Sequence, residues 1–133
     1  VAIIVRLPLA SGLLSGKLNR NTPFADNDHR NFNRDGQKFN VGETFSGLPF
    51  EKGLELVESL KKLVPENQVL PQSALRWVLD FEAVSVVIPG SKSPRQVMDN
   101  CAAGSLPPLP PATHEALSDL YFKEVASHIR GKY

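Results

Sequence analysis

The sequence predicts an α/β fold built on parallel strands, and three observations carry that prediction. Two runs rich in β-branched residues, Val1-Ala2-Ile3-Ile4-Val5 and Val84-Ser85-Val86-Val87-Ile88, have the near-continuous apolar character of strands covered on both faces. Between them, and again after the second, apolar residues recur at three- and four-residue intervals, the period of amphipathic helices. A strand, a helical crossover and a second strand make the two strands parallel neighbours. Two parallel strands cannot make a sheet that buries both its faces, so the pattern implies further strands from elsewhere.

Taken in order, residues 1–7 read as a fully buried strand closed by Pro8. The sequence opens inside that strand, without an initiator Met or a preceding turn, which reads as a piece of something longer. Leu9-Ala10-Ser11-Gly12-Leu13-Leu14-Ser15-Gly16-Lys17 is small and glycine-punctuated. It suits either a backbone that approaches a ligand closely or a plain turn into a short apolar segment. Residues 18–49 are a long polar stretch with almost no periodicity, the kind that forms a functional lid or stays disordered. Phe24, Phe32, Phe39 and Phe45 argue against plain disorder, since aromatic rings need somewhere to pack.

Helical spacing begins after Pro49 with Leu54, Val57, Leu60 and Val64, and Pro65 closes it. A second helix covers residues 70–80, with Leu70, Ala74, Leu75 and Val78 on one face and Trp77 as a packing residue. The strand at 84–88 follows, ended by Pro89 and Gly90. Ser93 is a good N-cap, Pro94 suits the first helical position, and Gln96 completes a capping box. A strand turning so quickly into a helix aims the helix's N–H groups at one spot, with Lys92 beside it. Such a unit either binds an anion, phosphate above all, or caps nothing but itself. Gly104 and Pro107 end this helix, which would hold Cys101 in its core. A proline-rich turn at 107–111 leads to a last helix over 112–130, with Leu117, Leu120, Tyr121, Val125 and Ile129 inward.

Composition narrows the functional classes. The 133 residues are 41% hydrophobic and 22% charged with a net charge of +1, ordinary for a soluble domain and no argument for nucleic acid or membrane binding. No apolar run approaches a membrane span. Cys101 stands alone, which excludes an internal disulfide and favours a reducing compartment such as the cytoplasm. His29, His114 and His128 lack metal-ligand spacing, Asp26 and Asp28 form a pair that polar loops carry routinely, and no nucleophile elbow or Walker loop is present. The residues by themselves stop at a possible phosphate site on part of an α/β protein.

Three segments together resemble a known family: Pro8 through Lys17, Ala74-Leu75-Arg76-Trp77-Val78-Leu79, and Ile88-Pro89-Gly90-Ser91-Lys92-Ser93-Pro94-Arg95-Gln96 on to Asn100. They resemble the C-terminal portion of the aldo-keto reductases, NADPH-dependent carbonyl reductases built on a (β/α)8 TIM barrel. The stretch from Asp28-His29-Arg30 to Glu43-Thr44-Phe45-Ser46-Gly47 is similar to a bacterial branch of that family, and the likeness covers essentially the whole chain.

The resemblance implies that residues 1–133 are the barrel's C-terminal part, with 1–7 as strand seven, 84–88 as strand eight and 18–49 as a loop over the cofactor, NADP(H). It implies that Leu7, Pro8, Leu9, Ala10 and Ser11 line the nicotinamide and pyrophosphate, that Lys17 reaches the pyrophosphate, and that Arg30 or Arg34 belongs to the covering loop. Gly90, Ser91 and Lys92 match the pocket for the 2′-phosphate, with Gln96 and Asn100 toward the adenosine end; Asp99, also matched to the cofactor site, stands where many relatives carry Glu. The family's catalytic Tyr, Lys, Asp and His come from earlier strands and have no counterpart here. Tyr121 and Tyr133 fall in and after the last helix, so neither suits the proton donor. The implied reaction, hydride transfer between NADPH and a small carbonyl substrate, would need the remainder of the barrel, and another copy of the chain is the other expected partner. The competing reading is a truncated, non-catalytic module that binds a nucleotide or a partner.

Overall fold

The computed structural model describes residues 1–131. Strand β1 (Ile3–Arg6) lies parallel to β2 (Val84–Ile88), with Ile3 opposite Val84 and Arg6 opposite Ile88. The register shifts after Ile3, where Ser85 is the extra residue, and the Ile3 amide donates to Ser85 Oγ at 3.3 Å. Among the described residues no third strand joins the pair.

The strands are not buried as expected over 1–7 and 84–88. Ile3 and Ile4 are 44% and 58% exposed, Val86 and Ile88 48% and 55%. One helix packs on β2, and no other described element covers the pair comparably. The β-branched composition therefore reports a surface suited to burial, while the described chain leaves it open.

The long stretch between β1 and the main helices holds one short helix, α1 (His29–Phe32), and two tight turns at Val41–Glu43 and Phe45–Gly47. It also holds much of the core. Phe45 is fully enclosed, its ring 4.9 Å from that of Phe50 and 6.2 Å from that of Phe24. Asn33 and Thr44 are buried against one another, the Asn33 amide donating to Thr44 Oγ1 at 3.2 Å. The core gathers Ala10, Leu13, Phe45, Leu48, Phe50, Leu56 and Val57, so it sits under this stretch rather than on the strands. The stretch is polar overall, yet its few apolar residues are concentrated where they meet α2.

Helix α2 (Phe50–Lys61) begins just after Pro49, as its spacing predicts. Gly53 costs a helix interior about 1 kcal/mol relative to Ala, yet a Cβ there would stand 2.8 Å from Leu13 Cδ2. The glycine lets Leu13 seat against the helix. Helix α3 (Leu70–Leu79) carries proline in its first turn and buries Leu75 deepest, with Leu70, Ala74 and Val78 half-buried beside it. Trp77 does pack, 4.8 Å from the Phe81 ring, but keeps 36% of its surface exposed.

Helix α4 (Pro94–Ala102) is exposed along nearly its whole length, and Cys101 with it, contrary to the expected core position. The helix has no described partner on the side that Val97, Met98 and Cys101 occupy, so nothing buries the thiol. Helix α5 (Pro111–Leu120) does not run on to residue 130. It widens into a π turn at Tyr121–Val125 and tightens at Ala126–His128. That change of pitch leaves Tyr121 41% exposed while Val125 and Ile129 pack against the core. Residue Tyr133 lies outside the described residues.

A polar network joins α3 to α5. Asp80 accepts from Arg76 Nε at 2.8 Å, from the Leu109 amide at 2.9 Å and from His114 Nε2 at 2.9 Å. Burial by itself pushes the Asp80 carboxyl up, but these donors together hold it below the usual carboxylate value. An apolar cavity of about 720 Å³ opens among α2, α3 and α5, lined by residues such as Leu56, Leu60, Val78 and Leu117. Among the described residues no helix is long and apolar enough to cross a membrane, and no cluster of three or more His, Cys, Asp or Glu could hold a metal ion.

Candidate functional site

Parallel pairing delivers the ends of β1 and β2 to the same edge, because Arg6 sits opposite Ile88. Residues 7–11 leave one strand there and residues 89–93 leave the other. Ligand sites of α/β proteins gather at this edge because the loops that follow parallel strands all emerge on it.

The first turn is conformationally costly. Leu7, Ala10 and Ser11 have φ of 54°, 47° and 56°, in the left-handed region that residues with a Cβ avoid. Such residues cost about 1–3 kcal/mol each and persist where surrounding contacts over-determine them. Those contacts come from the long stretch. Ser11 Oγ donates to the Glu43 carbonyl at 3.1 Å and accepts from the Phe45 amide at 3.3 Å. His29 Nε2 lies 3.3 Å from the same oxygen, and the hydroxyl proton is already given to Glu43, so His29 is the donor. The Ser11 side chain is thus occupied by protein partners. Opposite it, Phe45, Ser46 and Gly47 form a second left-handed run, with φ of 51°, 54° and 77°.

Arg30 and Arg34 are held away from simple solvent exposure. Asp28 caps α1 through the Arg30 amide and grips the Arg30 guanidinium, Nη2 to Oδ2 at 2.6 Å. This bonding to Arg30 outweighs the opposing effect of burial and lowers the Asp28 carboxyl to about 2. Arg30 Nη1 also reaches the Ser11 carbonyl at 3.4 Å, and its carbon sits 4.6 Å over the Phe24 ring. Arg34 stacks on Phe50 at 5.0 Å and donates from Nε to the Arg30 carbonyl. Lys17 is exposed, and its ammonium has no partner among the described residues.

At the other strand end the helix start forms with one shift from expectation. Ser93 Oγ accepts from the Gln96 amide at 3.3 Å, as predicted. Gln96 Oε1, however, accepts from the Lys92 amide at 2.6 Å rather than from Ser93, so the capping box closes one residue early. Pro94 has no N–H, which leaves the amides of Ser93 and Arg95 at the mouth of α4. The Asn100 amide donates to Ser91 Oγ at 3.0 Å and ties the turn to the helix behind it. Asp99 points to Arg95, 3.8 Å away on the exposed face. The Lys92 ammonium has no partner among the described residues. A Cβ added at Gly90 would meet nothing within 4 Å.

The predicted residues therefore fall into two groups on one edge. Ser11 and Arg30 are in contact, with Arg34 hydrogen-bonded to Arg30, while Ser91, Lys92, Gln96 and Asn100 share the turn into α4. Among the described residues no hydrogen bond or ion pair joins the two groups. Sequence reasoning missed Glu43, Phe45, His29 and Asp28 as the fasteners of the first turn. The Asp-x-Arg spacing at 28–30 was a signal for one of them; the others act largely through backbone atoms.

The chain is similar to known proteins in sequence and in fold. The sequence model of the aldo/keto reductase family matches residues 1–121. An aldo-keto reductase from Strobilurus tenacellus is 33% identical over 107 residues, which are 80% of this chain and 29% of that protein. The solved glycerol dehydrogenase from Gluconobacter oxydans matches 100% of this chain and 38% of its own, with TM-score 0.73 and 26% identity. The apo form of an aldo-keto reductase from Bacillus halodurans matches 90% of this chain and 34% of its own, with TM-score 0.54 and 22% identity, a likeness of fold alone. The chain spans between 29% and 38% of the length of these relatives.

Proposed function

The chain belongs to the aldo-keto reductase family, and on that premise we propose that it is the NADP(H)-binding part of an oxidoreductase acting on an aldehyde or ketone. The observation that carries this reading is the shared edge: parallel strands bring a strained turn and a capped helix start together, each with an unpaired lysine nearby. A dianionic 2′-phosphate fits the second group chemically. Lys92 offers a cation, and Ser93 and Arg95 offer amides, beside the open space at Gly90. Lys17 would meet the pyrophosphate, and residues 7–11 would line the nicotinamide. Gln96 and Asn100 would act by holding the turn, with Asp99 toward the adenosine.

When bound, the dinucleotide supplies the hydride. The residues of this chain orient it and balance its charge. The general acid has to come from outside the described residues, since Tyr121 sits in the π turn and not at a strand end. We assign that role to further strands of a (β/α)8 barrel, and these or another copy of the chain would cover the exposed strand faces. A cytoplasmic setting suits the exposed thiol of Cys101.

A second reading, a non-catalytic nucleotide- or partner-binding module, is favoured by the same lack of an acid at the strand ends. Two measurements separate them. Titration of NADPH and NADH into the protein that carries this sequence should show the phosphorylated form binding at least tenfold tighter; equal affinities reject the 2′-phosphate assignment. NADPH oxidation with an aldehyde by that protein supports the enzyme, and binding without turnover supports the module.

A further inference from the structure

We propose that Arg130 is a positioning residue that staples the C-terminal segment to residues 34–48 and, through them, sets the Ser11 turn at the end of β1. Its side chain uses all three nitrogens on that stretch. Nε donates to the Gly47 carbonyl at 3.0 Å, and Nη2 donates to the carbonyls of Leu48 at 3.1 Å and Arg34 at 3.3 Å. Nη1 pairs with Asp35 at 2.6 Å, and the Arg130 amide donates to Gly47 as well, at 3.1 Å. These side-chain partners lie 82 to 96 residues away in sequence. A planar fork with five donors can hold several backbone carbonyls at once, which a lysine ammonium cannot do in the same geometry.

The contact is close enough to dictate sequence. Gly47 has φ of +77°, and a Cβ there would stand 2.5 Å from the Arg130 carbonyl oxygen. Ile129 and Val125 pack against the core just before it, so the staple is anchored on a fixed support. Gly47 ends the left-handed run that Phe45 begins, and Phe45 and Glu43 are the residues that fasten Ser11. One side of that strained run is thus held by Arg130 and the other by Ser11. Without the staple, the Gly47 end of the run loses the side-chain and backbone donors that hold its carbonyl, while the Phe45 end keeps its bond to Ser11. The effect on a ligand rests on the NADP(H) reading; the effect on the backbone does not.

The test is hydrogen exchange on the intact protein carrying this sequence, comparing wild type with Arg130→Lys and Arg130→Gln. Loss of charge-assisted bonds is expected to speed exchange about tenfold or more at the amides of Phe45, Gly47 and Leu48. A smaller rise is expected at Ala10 and Gly12, with α3 unchanged. Lysine should rescue little, and Asp35→Asn should do less than either, because the carbonyl bonds remain. Unchanged exchange at 45–48 overturns the proposal, and so does equal acceleration in α3, which marks a general loss of stability. If Arg130→Gln does not fold, Arg130→Lys decides by the same criteria. In parallel, Arg130→Lys should weaken NADPH binding about tenfold with kcat at saturating cofactor unchanged. A wild type that binds no NADPH rejects the proposed function and leaves the exchange result to decide the staple.

Discussion

Lys92 extends from the turn between β2 and α4 with no described carboxylate near it. A charged hydrogen bond contributes about 1.5–3 kcal/mol, roughly ten- to hundredfold in affinity. Lys92→Ala should weaken NADPH by that factor and leave NADH nearly unchanged, and added salt should penalise the wild type more than the variant. Equal losses for both dinucleotides, measured by titration, would mean that Lys92 supports the turn instead. Phe45 tests the core. It is fully enclosed between Phe24 and Phe50, so Phe45→Ala should cost about 3–5 kcal/mol in denaturant unfolding. A cost below about 1 kcal/mol would show that the stretch around it contributes little to stability.

Among the elements, α1 and α3 each depend on one aspartate whose carboxyl is held below its ordinary value. For a depressed carboxyl, the stabilisation is present above the unfolded value and is lost as pH falls through the folded one. The Asp28 contribution should therefore disappear between about pH 4 and about pH 2. Asp28→Asn should be less stable than wild type at neutral pH and converge on it across that window; a gap independent of pH would reject the Arg30 pairing as its source. The start of α4 was legible because Ser93 and Pro94 have local conformational preferences that later contacts do not override. The helical spacing after Pro49 was legible for the same reason, since periodicity survives without knowledge of the partner. The break at Tyr121 was not legible, because no glycine or proline marks the π turn. Nor was the role of residues 33–48: Asn33 and Thr44 look like loop residues, and their burial follows from satisfying each other. The carbonyls that Arg130 grips belong to every residue type alike, so composition carries no trace of them. The fasteners of Ser11 escaped for a related reason, as Glu43 and Phe45 act there through backbone atoms.

For the whole molecule, the open strand pair is the dominant physical fact. Ile4, Ile88, Val97 and Met98 are each about half exposed or more, and β1 and β2 have unpaired outer edges among the described residues. The isolated 133-residue chain should therefore sediment above the monomer and reduce no aldehyde; a sharp thermal transition with a monomeric profile, or measurable NADPH consumption, would contradict this. The docking of α5 offers a separate handle. Asp80→Ala removes the acceptor that Arg76, Leu109 and His114 share, and breaking a buried pair of this kind costs about 3–5 kcal/mol. Trp77, the sequence's single tryptophan, lies 6.4 Å from His114 in a stacked arrangement and 4.8 Å from Phe81. Its indole is therefore a fluorophore built into the seam between α3 and α5. Emission from it will follow α5 leaving its seat on α3, which makes the one tryptophan a built-in reporter of that docking.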